Sequence, residues 1–103
     1  MGLFSPKKNK GMSLAQLREF DKKAISHIVV REGGDEQIIG RTGAITVKDD
    51  EIVVVCNGSQ SLRISTKGAV MATLMSGNGV DIKGVTAEGR SVHAIAYYSK
   101  LRQ

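Results

Sequence analysis

The feature that most constrains this chain is the tight spacing of β-branched runs and turn-forming pairs after residue 28. Ile28-Val29-Val30 runs into Gly33-Gly34-Asp35, "TGAITVKDD" ends in Asp49-Asp50, and "EIVVVCNGSQ" carries Asn57-Gly58. Branched side chains favour the pleated strand, where their stiffness costs little. Asn-Gly supplies the left-handed backbone that a two-residue hairpin needs. "SLRIST" alternates, with Leu62 and Ile64 on one face and Arg63 on the other, and "GVDIKG" alternates again. A turn through Ala87-Glu88-Gly89 leads into a last strand, "SVHAIAYYSK". Alternation there sends Tyr97 and Tyr98 to opposite faces and places His93 with Ile95 and Tyr97. "GAVMATLMS" is expected to form a short helical turn with Val70, Leu74 and Met75 facing inward. The sum is about six short strands joined mostly by hairpins: a mainly β domain closing as a small antiparallel barrel or roll. Strands do not alternate with helical patterns, which excludes a doubly wound parallel sheet.

Ahead of this region the texture is helical. Ser13 and Gln16 have the spacing of a capping box, with Met12 and Leu17 as the hydrophobic staple around it. Leu14, Leu17, Phe20 or Asp21, Ala24, Ile25 and Ile28 recur at helical spacing, with Arg18, Glu19, Lys22, Lys23 and Ser26 opposite. The pattern predicts a helix over about 13–26. Residues 27–32 could prolong it to a Gly33 cap or begin a strand, and Ile28-Val29-Val30 favours the strand. In this chain of 103 residues, 1–11 are expected to form a flexible basic leader and 12–103 a single domain that includes the helix.

The net charge of +5 is unevenly held. Residues 1–23 carry six basic side chains against Glu19 and Asp21, whereas residues 24–103 carry nine against eight acidic ones. A nucleic-acid-binding fold normally places its basic excess on the folded body, so nucleic acid is disfavoured as a partner. Cys56 is the only cysteine, so no internal disulfide can form and a reducing cytoplasm is expected. The longest apolar run, Ile52–Cys56, is far too short to cross a bilayer, and no signal peptide is evident.

Each candidate for chemistry meets an obstacle. Glycines 77, 79 and 84 in "SGNGVDIKG" precede a strand pattern and lack the Lys-Ser/Thr ending of a phosphate loop. His27 and His93 lie in different elements without neighbours at metal-ligand spacing. Cys56 falls in phase with Ile52 and Val54, as a small core hydrophobe would. Asp35-Glu36 and Asp49-Asp50-Glu51 flank turns and lack the alternate-position oxygens of a calcium loop. No catalytic, cofactor or metal residues are therefore assigned. The leader offers Leu3, Phe4, Lys7, Lys8 and Lys10 for contact with an anionic membrane surface. Myristoylation would need Ser or Thr at position 6, which is Pro6, so such contact would be weak and salt-sensitive.

The stretch from "IIGRTGAITV" through "EIVVVCNG" to "IAYY" resembles a family of small uncharacterised bacterial proteins. The matching residues are Gly40, Arg41, Thr42, Gly43, Leu74, Met75, Ser76, Gly79, Val80, Ala96, Tyr97 and Tyr98. That family has no assigned activity, so the resemblance implies no catalytic residues. The strand order is also similar to bacterial PH-like or GRAM-like domains, which differ in ending with a long helix. The expected function is a non-catalytic interaction or scaffolding module of the bacterial cytoplasm that self-associates. The alternatives are a membrane-surface module using the leader and a barrel binding single-stranded nucleic acid.

Overall fold

The computed structural model describes residues 12–99. A short helix, α1 (Leu14–Leu17), and a 3₁₀ turn (Arg18–Phe20) precede seven strands. These are β1 (Ala24–Glu32), β2 (Asp35–Val47), β3 (Glu51–Cys56), β4 (Ser59–Ser65), β5 (Val70–Thr73), β6 (Gly79–Val85) and β7 (Ser91–Tyr98). They form one antiparallel sheet in the order β4-β3-β2-β1-β7-β6-β5. The hairpin pairs are as expected: Gly33 and Gly34 both have positive φ between β1 and β2, and so do Asn57 and Gly58 between β3 and β4. The helical expectation for 13–26 is corrected to four α-helical residues and one 3₁₀ turn.

Helical spacing misled beyond Phe20 for a local reason. Ile25 pairs with Tyr98 of β7, but two residues on His27 pairs with Tyr97, so the ladder carries a bulge at Ser26. The extra residue turns Ile25 and Ile28 to the same, inner face, three positions apart as on a helix. The helix itself ends where Lys22 enters the left-handed region at φ 65 and its N–H donates to the Ile45 carbonyl at 2.6 Å. Asp21 fastens the exit by accepting from the Val47 N–H at 2.8 Å. The capping box survives: Ser13 Oγ accepts from Gln16 N–H, and Gln16 Oε1 from Ser13 N–H.

"GAVMATLMS" is the second correction. It forms the edge strand β5, with Met71 buried, Val70 outward and Met75 fully exposed in the β5–β6 turn. Four strand residues paired to β6 outweigh the weak helical pattern there. This strand makes the total seven where six were expected.

The sheet is open yet strongly rolled. Four strands separate β4 from β6 in its order, but a Cβ on Gly84 of β6 would lie 2.6 Å from Cδ1 of Ile64 on β4. Residues 66–69 alone connect β4 to β5, the two ends of the sheet. No ladder joins β4 to β5 or β6, so a seam remains between them. The inner face buries Ile28, Ile45, Val47, Ile52, Val54, Cys56, Leu62, Ile64, Met71, Val80, Ile82, Ala94 and Ala96. Leu17, wholly buried, and Phe20 plug one end of the roll. Burying side chains of that size is worth about 1.5–3 kcal/mol each.

Candidate functional site

The plugged end lies at the β2–β3 turn, where Arg18 pairs with Asp49. Met12 completes it from the β5 side. Its N–H donates to the Ala69 carbonyl at 3.0 Å, and its sulfur accepts from the Met71 N–H at 3.0 Å. The free edge of β5 is thus short and partly covered, two of the devices by which sheets guard an edge.

The opposite end, at the β1–β2 and β6–β7 hairpins, has no such plug among the described residues. There the core surfaces as half-buried Val30, Ile39 and Val92 beside Leu62. These four floor a cleft of about 270 Å³, with the hydroxyls of Ser61 and Thr86 on its walls and Glu32, Glu88 and Arg90 at its mouth. Arg90 reaches across the rim to Glu32 at 3.6 Å. The cleft runs into the seam, because Ser61 and Leu62 belong to β4 while Thr86 and Glu88 belong to the β6–β7 connection. A second depression, of about 250 Å³, lies farther along β4, where Arg63, Ile64 and Ser65 line it together with Asp50, Glu51 and Ala87. The unpaired edge of β4 therefore lines a groove whose open end is apolar at the bottom and charged at the lip.

Within that groove Arg63 is tied to Glu51, Nε to Oε1 at 2.7 Å and Nη2 to Oε2 at 3.1 Å. This two-pronged bond to Arg63 holds the Glu51 carboxyl below its ordinary value and raises the guanidinium correspondingly. The β3–β4 register shifts between Val54 and Val55, whose partners are Leu62 and Gln60, so Ser61 is the extra residue of a bulge on β4.

The outer face of the sheet gathers residues that the sequence placed far apart. His27 and Tyr97 are direct cross-strand partners, and their rings stack at 4.7 Å. Next along the face, Ile38, Val29 and Ile95 pair across β2, β1 and β7 as an apolar row. His93 Nε2 sits 2.8 Å from Asp81 Oδ2, both half-buried. Sequence reasoning missed this pair because Asp81 is opposite Ile95 in the ladder, which makes it the diagonal neighbour of His93. Only the β6–β7 register reveals it. Ser26 Oγ lies 2.8 Å from His27 Nδ1, and no carboxylate completes a relay there among the described hydrogen bonds.

Of the other residues singled out, Cys56 is buried at 4% exposure on the inner face, as its phase with Ile52 and Val54 indicated. His93 lies on the outer face, so the sheet itself separates the thiol from the imidazole. Tyr98 turns inward and Tyr97 outward, as alternation required. Burial raises the Tyr98 phenol above its ordinary value. Among the described residues no group of three or more His, Cys, Asp or Glu side chains is placed to hold a metal. Among the described residues no helix is long and apolar enough to cross a membrane. Leu3, Phe4, Lys7, Lys8 and Lys10 lie outside the described residues. No protein-family model, curated protein or solved structure matches the chain.

Proposed function

We propose that this chain is a non-catalytic protein-interaction module that self-associates, using the β4 edge and the groove beside it. The observation that carries this reading is the asymmetry of the two sheet ends. The β5 edge is four residues long and engaged by Met12, whereas the seven-residue β4 edge, bulged at Ser61, has no ladder on its outer side among the described residues. Unpaired strand groups are a template for another strand, and an adjacent apolar cleft gives such a contact a side-chain pocket. A second copy docked around a two-fold axis would satisfy both edges at once, since the same patch serves each partner.

Light scattering combined with amide hydrogen exchange tests it. The average mass should rise with concentration, and exchange at Ser61–Ile64 should slow over the same range. A monomer at every concentration up to about 1 mM, a weak limit for a specific contact, overturns the proposal. So does association that leaves β4 exchange unchanged.

A further inference from the structure

We infer that the open-end cleft receives Leu3 and Phe4 of a second copy of this chain, with Lys7, Lys8 and Lys10 of that copy against the acidic rim. This deepens the self-association reading and rests on it. Three observations select the occupant.

The first is size and chemistry. A volume of about 270 Å³ floored by Val30, Ile39, Leu62 and Val92 is too small for a large ligand. A dry cavity of ~150 Å³ holds a benzene, and drug-sized ligands fill ~300–1,000 Å³. One aromatic or one to two aliphatic side chains suit the space. Leu3 and Phe4 are an adjacent pair of that kind, and Phe4 is one of only two phenylalanines in the chain, the other being Phe20 of the plug.

The second is charge. The hairpin end holds Glu32, Asp35, Glu36 and Glu88 against Arg31 and Arg90, a local excess of two negative charges. Arg31 is paired with Glu36 at 3.3 Å and Arg90 with Glu32 at 3.6 Å. Asp35 and Glu88 have no ion-pair partner among the described residues. Residues 24–103 together carry nine basic against eight acidic side chains, so this lip is more acidic than the body that holds it, and residues 1–11 bring three lysines and no acid. Complementary charge on an exposed rim speeds encounter and fixes orientation more than it adds affinity.

The third is reach. Eight links separate Phe4 from Met12, which is held at the β5 edge. Fully extended they reach up to about 29 Å from that edge.

Paramagnetic relaxation in a mixed sample tests the inference on the full chain. One population carries Ser5→Cys with a nitroxide label, with native Cys56 left buried and single labelling verified by mass; the other is isotope-labelled and unmodified. Distance-dependent broadening of Ile39, Leu62 and Val92 amides in the unmodified copy is expected. It should weaken severalfold in high salt, and with Phe4→Asp in the labelled copy it should vanish. Broadening centred elsewhere in the unmodified copy, or none at all, overturns the inference. Leader binding to anionic vesicles without intermolecular broadening overturns it in favour of a lipid surface. Light scattering on the same samples separates the two readings. Association without broadening removes the cleft docking and leaves the β4 contact standing, and a monomer without broadening removes both.

Discussion

Gly43→Ala should come close to unfolding the protein, while the same change at Gly40 should be tolerated and partly rescued by Cys56→Ala. Gly43 sits mid-strand in β2, opposite Cys56 on β3 and Ile25 on β1. A Cβ there would overlap the Val55 carbonyl oxygen and lie 2.8 Å from both Cα and Sγ of Cys56. Two of those three obstacles are backbone, which cannot turn aside as a side chain can. Relief needs β2 and β3 to part around the Gly43–Cys56 and Ala44–Val55 rungs. Leaving two such backbone groups unsatisfied, at about 1–3 kcal/mol each, puts the loss near 3 kcal/mol or above. That is a large share of the ~5–15 kcal/mol that a domain of this kind commands. At Gly40 the obstacles are all side-chain atoms, Ser61 Oγ and Cys56 Sγ and Cβ. Overpacking of that kind costs about 1–3 kcal/mol. Urea unfolding followed by circular dichroism reads both. With a slope of about 1–3 kcal/mol per molar, the Gly43 variant should lose a molar or more of midpoint. A double-mutant cycle should show coupling between Gly40→Ala and Cys56→Ala and little between Gly43→Ala and Cys56→Ala. A wild-type midpoint for Gly43→Ala, or equal rescue of both glycine variants, would refute the reasoning.

Leu17→Ala removes the fully buried side chain of the plug and should cost about 3–5 kcal/mol, with Ser13→Ala costing about 1 kcal/mol through the cap; both are read by the same unfolding assay. Arg63→Ala bears on pH. The folded Glu51 value is lowered, so the pair stabilises the fold above the ordinary carboxylate value of about 4.3 and loses that effect as pH falls through the lowered value. Wild type and Arg63→Ala should therefore differ in urea midpoint at neutral pH and converge in acid, and a constant difference down the acid range counts against the pair.

Much of the fold was legible from residues alone because its signals are local. Asn57-Gly58 and Gly33-Gly34 dictate turns through their own backbone preferences, and the Ser13–Gln16 box marks a helix start within four residues. Alternation correctly divided Tyr97 from Tyr98 and placed Cys56 inside. The helix length was misread because a bulge at Ser26 counterfeits the helical period at Ile25 and Ile28. β5 was misread because four residues are too few to show a period, and its strand state depends on β6 beside it. Gly40 and Gly43 lie in a stretch read as strand and matched to other chains without a role for either glycine, and close approach of Cys56, Ser61 and the Val55 carbonyl explains both. The candidate groove could not be read at all, since its walls come from residues 30 to 92.

By itself the sequence determined a mainly β chain with hairpin turns at named pairs, a capped N-terminal turn of helix, and a charge excess held in its first 23 residues. Each of these follows from neighbours in the chain. Tertiary structure alone decided that the sheet rolls without closing and that Leu17 and Phe20 plug one end. It also decided that β4 keeps an unpaired edge beside an apolar cleft, and that His93 meets Asp81. The physical reason is register and curvature: which residues face one another across a sheet depends on bulges and accumulated twist, which no single segment encodes.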